Sequence, residues 1–210
     1  MFVIIADQIG SATDVDRVGG ALDELVTRFG TAYPLPPERT AGDELQALSV
    51  DAATALETAL HLLRSPRWRV GLGIGTVRLP LPGSIREASG PAFVAARAAI
   101  EGAARRPTRF ATVGAEAAAA RAEQAGAFID LLLAQRARWS EAGWQLHDLL
   151  ESGLTQAEAA DRLGVTPQAT SKRARAAGLR IDTEARGALG ALLDDVSATV
   201  ERTAPEGGSA

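Results

Sequence analysis

Residues 155–177, TQAEAADRLGVTPQATSKRARAA, carry the pattern that organises the reading of this chain. Thr155 is placed to cap a helix and Glu158, three residues on, to return a bond to the cap backbone, a capping box that starts a helix near Gln156. Ala159, Ala160 and Leu163 form its inward stripe, and the two alanines let a second helix come close. Gly164 supplies the permissive backbone of a tight turn, Val165 fills the gap between the helices, and Pro167 suits the first position of a new helix that runs to about Ala177. This second helix carries Lys172, Arg173 and Arg175 and no acidic residue, in a chain of net charge −4. Two short helices joined this way, the second uniformly positive, have the spacing of a DNA-reading helix-turn-helix. A helical hairpin that packs another element is the plainer alternative, and the local charge inversion argues against it. Thr170 stands where the second helix usually has a large apolar residue, with Ala174 one turn later, so thin packing is expected there. Trp139, Trp144, Leu146, Leu149 and Leu150 upstream, as a third helix, and Leu179 and Ile181 downstream, as a closing strand or turn, are expected to supply the missing apolar mass.

The chain ahead of this motif changes period several times. Residues 2–6, FVIIA, read as a buried strand and 14–29 as a helix with Val18, Ala21, Leu22, Leu25, Val26 and Phe29 at helical spacing. Two strands are expected between Tyr33 and Val50 around a turn at Ala41, Gly42 and Asp43, with Pro34, Pro36 and Pro37 confining the first to an edge or a loop. A helix over about Ala52–Leu63, a strand over Trp68–Val77, a loop over Leu79–Gly90, a helix from Pro91 to about Ala104 and a strand over Thr108–Val113 follow. This is the order of a ferredoxin-like βαββαβ sheet with helices on one face, an α+β sandwich. From Ala115 on the pattern is helical. The expected organisation is an α+β domain over 1–114, a connector helix over 115–138, an all-α helix-turn-helix domain over 139–182, an amphipathic helix over 183–203 and a disordered tail over 204–210.

At 210 residues, 46% hydrophobic and 23% charged, the composition is that of a soluble globular protein of one large or two modest domains. The absence of cysteine excludes disulfides, thiolate metal sites and a cysteine nucleophile. Two histidines far apart in sequence, His61 and His147, argue against zinc. The opening MFVIIA is too short for a signal peptide, is interrupted by Asp7 and has no basic residues before it. No stretch reaches membrane-spanning length, and a cytoplasmic protein with no membrane partner is expected.

Chemistry-bearing residues of the first domain gather at two points, Asp7 in ADQIGS at the end of the first strand and Asp43 in AGDELQAL at the hairpin tip. In a βαβ arrangement both fall at one edge of the sheet. Close carboxylates repel unless a cation sits between them, so the pair suggests a Mg²⁺ or Mn²⁺ site serving phosphate oxygens, with Glu44 a third candidate ligand. Asp7 as a helix-capping turn residue and Asp43 as a plain hairpin residue is the alternative. Gly71, Gly73 and Gly75 alternate in RVGLGIGTV and so share one strand face. The spacing is not that of a dinucleotide fingerprint; a cleared face admits a ligand or another backbone, or marks a bend.

The succession ADQIGS, AGDELQAL, WRVGLGIGTV and REASGPAFVAARAA resembles the SatD family, bacterial proteins that often end in a helix-turn-helix, over nearly the whole chain. More distantly, the first domain resembles the class III nucleotidyl cyclases and GGDEF diguanylate cyclases, whose catalytic fold is ferredoxin-like. That resemblance implies metal binding by Asp7 and Asp43 and by the carbonyl of Ile9, and it matches Arg97 to a helix arginine that stabilises the transition state. The GGDEF signature is reduced here to Gly42, Asp43, Glu44 and Leu45. Phe93 or Val94 occupies the position of a catalytic asparagine, which implies nucleotide binding, with Arg97 or Arg86 as phosphate partner, and no efficient cyclisation.

Two functions follow as expectations. One is a DNA-binding regulator whose cyclase-like domain forms a homodimer and senses a nucleotide, with Thr166, Gln168, Ser171, Lys172 and Arg175 at base edges or in the groove and Gln156 and Arg173 on phosphates. The other is a metal-dependent nucleotidyl cyclase or other nucleotide-processing enzyme, with the helix-turn-helix serving its control.

Overall fold

A computed structural model describes residues 1–203 of the chain; the tail expected at 204–210 lies outside the described residues. The described residues form two compact units, one of Met1–Asp130 with residues 189–203, the other of Leu131–Ala188. In chain order the elements are β1 (Phe2–Gln8), α1 (Val18–Phe29), β2 (Glu38–Ala41), β3 (Glu44–Ser49), α2 (Ala52–Leu63), β4 (Trp68–Ile74), α3 (Pro91–Ala103), β5 (Phe110–Gly114), α4 (Ala119–Arg136), α5 (Glu141–Glu151), α6 (Gln156–Leu163), α7 (Pro167–Ala177) and α8 (Leu179–Thr203).

The first unit is α+β. Its sheet has the order β2-β3-β1-β4-β5, antiparallel except for the parallel pair β4–β5. Residues opposite one another across a ladder share a face. The register therefore puts Val3, Ile5 and Asp7 on the same face as Leu48, Gln46 and Glu44 of β3 and Gly73, Gly71 and Arg69 of β4. Helix α3 covers this face, where Val3, Ile5 and Leu48 pack with Ala92, Ala96 and Ile100. The other face, with Phe2, Ile4, Ala6, Leu45, Ala47, Val70, Leu72 and Ile74, is buried as completely and is met by α1 and α2. Helices thus lie on both faces, where the sequence order suggested one. The near-continuous apolar run of β1 is the signature of a strand covered twice.

The alternating glycines of β4 are explained by α3. A Cβ on Gly73 would stand 2.3 Å from both the carbonyl oxygen of Ala92 and the amide nitrogen of Ala96, and one on Gly71 2.3 Å from the amide of Ile100. Strand and helix meet backbone to backbone, so the cleared face admits a helix of this chain rather than a ligand. The helix offers a matching small surface in Ala92, Ala96 and Ala99, all fully buried.

Several boundaries move for local reasons. The helix expected from 14 starts at Val18, because Asp14 accepts from the Val15 amide and pairs with Arg17, while Asp16 accepts from the Val18 amide. These short acids hold a turn instead of joining the helix. Strand β2 begins only after the last of the three prolines, at Glu38, and lies at the sheet edge. The strand expected over 68–77 ends at Ile74, and the one expected from 108 starts at Phe110.

In the second unit Trp139, Leu146, Ala159, Ala177 and Leu179 form the buried centre, with Trp144, Leu149, Leu150, Leu163 and Ala174 packed on it. Leu179 and Ile181 belong to the first turn of α8, which starts four residues earlier than expected and leaves no closing strand. Gly178, with φ 65°, reverses the chain after α7, and the Asp182 amide already bonds back to the Gly178 carbonyl at 2.9 Å. Leu179 joins the core, whereas Ile181 is 64% exposed and adds nothing to it.

The strand–helix contact sets a test. Gly73→Ala is expected to destabilise the protein by about 3 kcal/mol, since backbone on both sides has no room to yield. Gly19→Ala, in α1 with open space around the new methyl group, is expected to stabilise by about 0.5–1 kcal/mol. Urea unfolding of both variants measures the contrast.

Candidate nucleic-acid interface and the carboxylate–arginine row

The surface of α7 is set by the turn before it. Thr155 caps α6 and Glu158 bonds back to it, its carboxylate accepting from the Thr155 amide at 2.7 Å and its own amide donating to Thr155 Oγ1 at 3.3 Å. These bonds, the backbone one first, hold the Glu158 carboxyl below its ordinary pKa. Gly164, with φ 62°, closes α6 in the left-handed region. Thr166 then caps α7, accepting from the Ala169 amide at 3.2 Å, and Pro167 follows as the first helical residue. With this phase Thr170 and Ala177 turn inward and are buried, while Gln168, Lys172 and Arg175 lie exposed at i, i+4 and i+7. Ser171, half-buried, borders that face, and Arg173, also half-buried, sits on its flank. Gln156 is exposed at the start of α6. Among the described residues no carboxylate pairs with Lys172, Arg173 or Arg175, and the Thr166 hydroxyl still has its proton to donate.

The far end of α7 is clamped by groups the sequence did not single out. Gln135 Nε2 donates to the Ala177 carbonyl at 2.8 Å, and its Oε1 accepts from Trp139 Nε1 at 3.0 Å. Arg136 donates through Nε and Nη2 to the two oxygens of Asp182 at 2.6 and 2.7 Å, both side chains being almost fully buried. Arg186 Nε adds a third bond to Asp182 at 3.0 Å and continues to Glu151. The Arg136 guanidinium lies 5.4 Å from the Trp139 ring centre and 5.9 Å from that of Trp144. His147 rests against both tryptophans, and burial holds its pKa below the ordinary value.

In the first unit the end of β1 and the hairpin tip meet, as the Gln8 amide donates to the Asp43 carbonyl at 3.0 Å. The buried Gln8 side chain, unremarked in the sequence, organises the following loop: its Nε2 donates to the Val15 carbonyl and its Oε1 accepts from the Arg17 amide. That loop brings Ser11 Oγ onto Asp43 Oδ2. Asp7 faces Arg69 across the β1–β4 ladder, with Arg69 Nη1 3.0 Å from its Oδ2. Glu44 accepts from Arg97 at 2.5 and 3.0 Å, from Thr40 Oγ1 at 2.7 Å and from Gln46 Nε2 at 3.2 Å. The Ile9 amide bonds the Arg67 carbonyl at 2.7 Å. Arg86 is engaged elsewhere, with the Arg39 carbonyl and with Glu38 of β2.

The carboxylates are therefore unequal. Burial, then the neighbouring Asp43, pushes the Asp7 carboxyl above its ordinary pKa, against the pull of Arg69. Glu44 suffers burial too, but its bonds from Arg97 and Thr40 leave it below the ordinary value. Among the described residues no three Asp, Glu or His side chains stand close enough to hold a metal ion together. Asp7 and Asp43 each keep one carboxylate oxygen not used in a hydrogen bond among the described residues, whereas both Glu44 oxygens are engaged by Arg97, so Glu44 does not suit the expected role of third ligand.

The Asp7 pKa has a sign that can be checked. A carboxyl with a raised folded-state pKa contributes most stability below its ordinary value of about 4 and loses that contribution as pH rises through the folded value. Asp43→Asn removes the second cause, so the Asp7 titration followed by NMR is expected to move down, and the stability loss to be smaller and complete at lower pH. An unmoved Asp7 titration would mean that the two carboxylates do not sense each other. Comparison of the chain with protein-family models, curated proteins and solved structures gave no match.

Proposed function

We propose that this chain is a DNA-binding transcriptional regulator that reads duplex DNA through α7 and carries a degenerate nucleotidyl-cyclase-like domain, as a member of the SatD family. The observation that carries the reading is the outer face of α7, where Gln168, Lys172 and Arg175 stand exposed, with no paired carboxylate among the described residues, on a helix entered by a capped tight turn. Such a face suits the major groove, with Ser171 and Thr166 in reach of base edges or the groove wall. Gln156 and Arg173 flank it and suit phosphates. A regulator also accounts for the thin middle of α7: Thr170 and Ala174 let the helix sit close to its neighbours while its outer face stays polar.

For the first unit, a ferredoxin-like reading is supported by α1 linking β1 to β2, by α2 linking β3 to β4, and by the antiparallel order β2-β3-β1-β4. Its role in this proposal is to pair two copies and to bind a nucleotide with Mg²⁺ or Mn²⁺ at Asp7 and Asp43. Arg97 holds Glu44 and, half-exposed, is also in position to meet a phosphate. Exposed apolar residues on α4, Phe128 at 56% and Leu131 at 67%, favour a homodimer, whose two-fold symmetry would match an inverted-repeat operator. A nucleotide that prefers one dimer geometry then shifts DNA affinity by linkage. Among the described residues no helix is long and apolar enough to cross a membrane. The crowding of Asp7 by Asp43 favours a second reading, a metal-dependent nucleotide-processing enzyme. Against it, Phe93 or Val94 occupies the position where the class III cyclases this domain resembles carry a catalytic asparagine.

Lys172→Ala with Arg175→Ala is expected to remove most binding to genomic fragments selected by the wild-type protein, at a cost on the order of 2 to 5 kcal/mol, with unchanged thermal stability. Equal retention of those fragments by the variant and the wild type in a gel shift would defeat the assignment. Calorimetric titration with ATP and GTP in Mn²⁺ is expected to show binding that Asp7→Asn with Asp43→Asn abolishes, and chromatography of the same mixtures to show no new product. Absence of heat from the wild type reduces Asp7 and Asp43 to turn residues, whereas product formation establishes the enzyme.

A further inference from the structure

We infer that the DNA-contacting surface continues beyond α7 onto the first turn of α8, where Arg180 is a phosphodiester contact that Glu184 partly holds back. The inference rests on the DNA-binding reading above and deepens it. A groove of about 650 Å³ opens in the second unit between the end of α5, the start of α6, the outer half of α7 and the start of α8. Gln156, Ser171 and Arg175 line it, and so do Arg180 and Ile181. No acidic side chain takes part in that lining, and the two arginines stand on either side of the Gly178 turn. The surface is thus complementary in charge to a polyanion and continuous with the face already assigned to DNA. Its exposed apolar component, Ile181, suits the carbon face of a deoxyribose beside the phosphate.

Arg180 is available at little cost. Its only partner among the described residues is Glu184, one turn on, at 3.1 Å, with side-chain exposures of 86% and 63%. Pairs exposed to this degree are weak and are screened by salt, so a phosphate displaces the carboxylate readily. While it is present, however, Glu184 both occupies the guanidinium and sets a negative charge beside the DNA backbone. It acts as a brake on binding.

The test uses the full chain and the genomic fragment selected by the wild-type protein, with affinity measured by fluorescence anisotropy at several salt concentrations. Arg180→Ala is expected to weaken binding about fivefold to tenfold near 0.1 M salt and to make the slope of log affinity against log salt shallower by about one. Glu184→Gln is expected to tighten binding about twofold to threefold, a gain that a misfolded variant cannot produce. In the Arg180→Ala background the same substitution is expected to gain less, because the carboxylate then has no arginine to release. Unchanged affinity and slope for Arg180→Ala, while Lys172→Ala with Arg175→Ala loses binding, overturns this inference and leaves the DNA-binding reading standing. Glu184→Gln that binds no tighter than the wild type overturns it as well. A wild-type protein that binds no duplex at all removes both.

Discussion

Helix α3 touches β4 with no side chain between them, and much of the first unit depends on that contact. Gly71 and Gly73 on the strand and Ala92 and Ala96 on the helix bring two backbones to a separation that any Cβ on the strand glycines would violate. The phase of α3 over the sheet is thereby fixed. Arg97 is one residue beyond Ala96, so it emerges beside the β1–β3 half of the same face and reaches Glu44. Asp7 and Arg69 stand in the same row because the β1–β4 register opposes them. A row of two carboxylates and two arginines, bordered by Asp43 at the hairpin tip, is therefore a consequence of how closely one helix can approach one strand. Its chemistry is more balanced than the acidic residues alone suggest.

The second unit solves a different problem. Helix α7 has little apolar surface with which to be held, since Thr170 and Ala174 take the inward positions at its middle. Two indoles in tilted contact, with ring centres 4.6 Å apart, and a buried ion pair supply what is missing. Arg136 donates two bonds to Asp182 away from water while the guanidinium also lies over Trp139 and Trp144. A pair like this adds little net stability compared with apolar residues of the same volume, but losing one partner strands a buried charge, at a cost of about 3–5 kcal/mol. It therefore penalises other packings of α8 on the α5–α7 group more than it strengthens this one. The outer face of α7 is left free of structural duty and available for a ligand.

Much of this architecture is legible in residue order because the signals are local. The capping box at Thr155 and Glu158, the turn at Gly164, the proline that opens α7 and the extent of α2 depend on neighbours a few residues apart, and the structure agrees with each. The meeting of Asp7 and Asp43 at one edge follows from a strand, a helix and a hairpin in succession. What escaped the sequence is long-range. The placement of Arg69 opposite Asp7 needs the strand order, and the Arg136–Asp182 pair joins residues with no shared pattern. The alternating glycines of β4 signal a close approach without naming the partner, and only the alanine spacing of α3 could have pointed to it. Gln8 lies beyond the 2–6 strand read from the sequence and carries no local signal, yet its side-chain amide orders the loop that carries Ser11. The start of α8 differs from the expected 183 because Leu179 and Ile181, read as a closing strand or turn, belong to the helix's first turn.

Binding of duplex DNA by the exposed face of α7 is the claim on which the account turns. The most direct measurement is an NMR titration of the full chain with the genomic duplex it selects, following backbone amides and the Lys172 and arginine side chains. The largest changes are expected on Gln168, Ser171, Lys172 and Arg175, with smaller ones at the start of α6 and little on the sheet of the first unit. A spectrum unchanged by duplex, or changes confined to the α+β unit with α7 silent, would contradict the account.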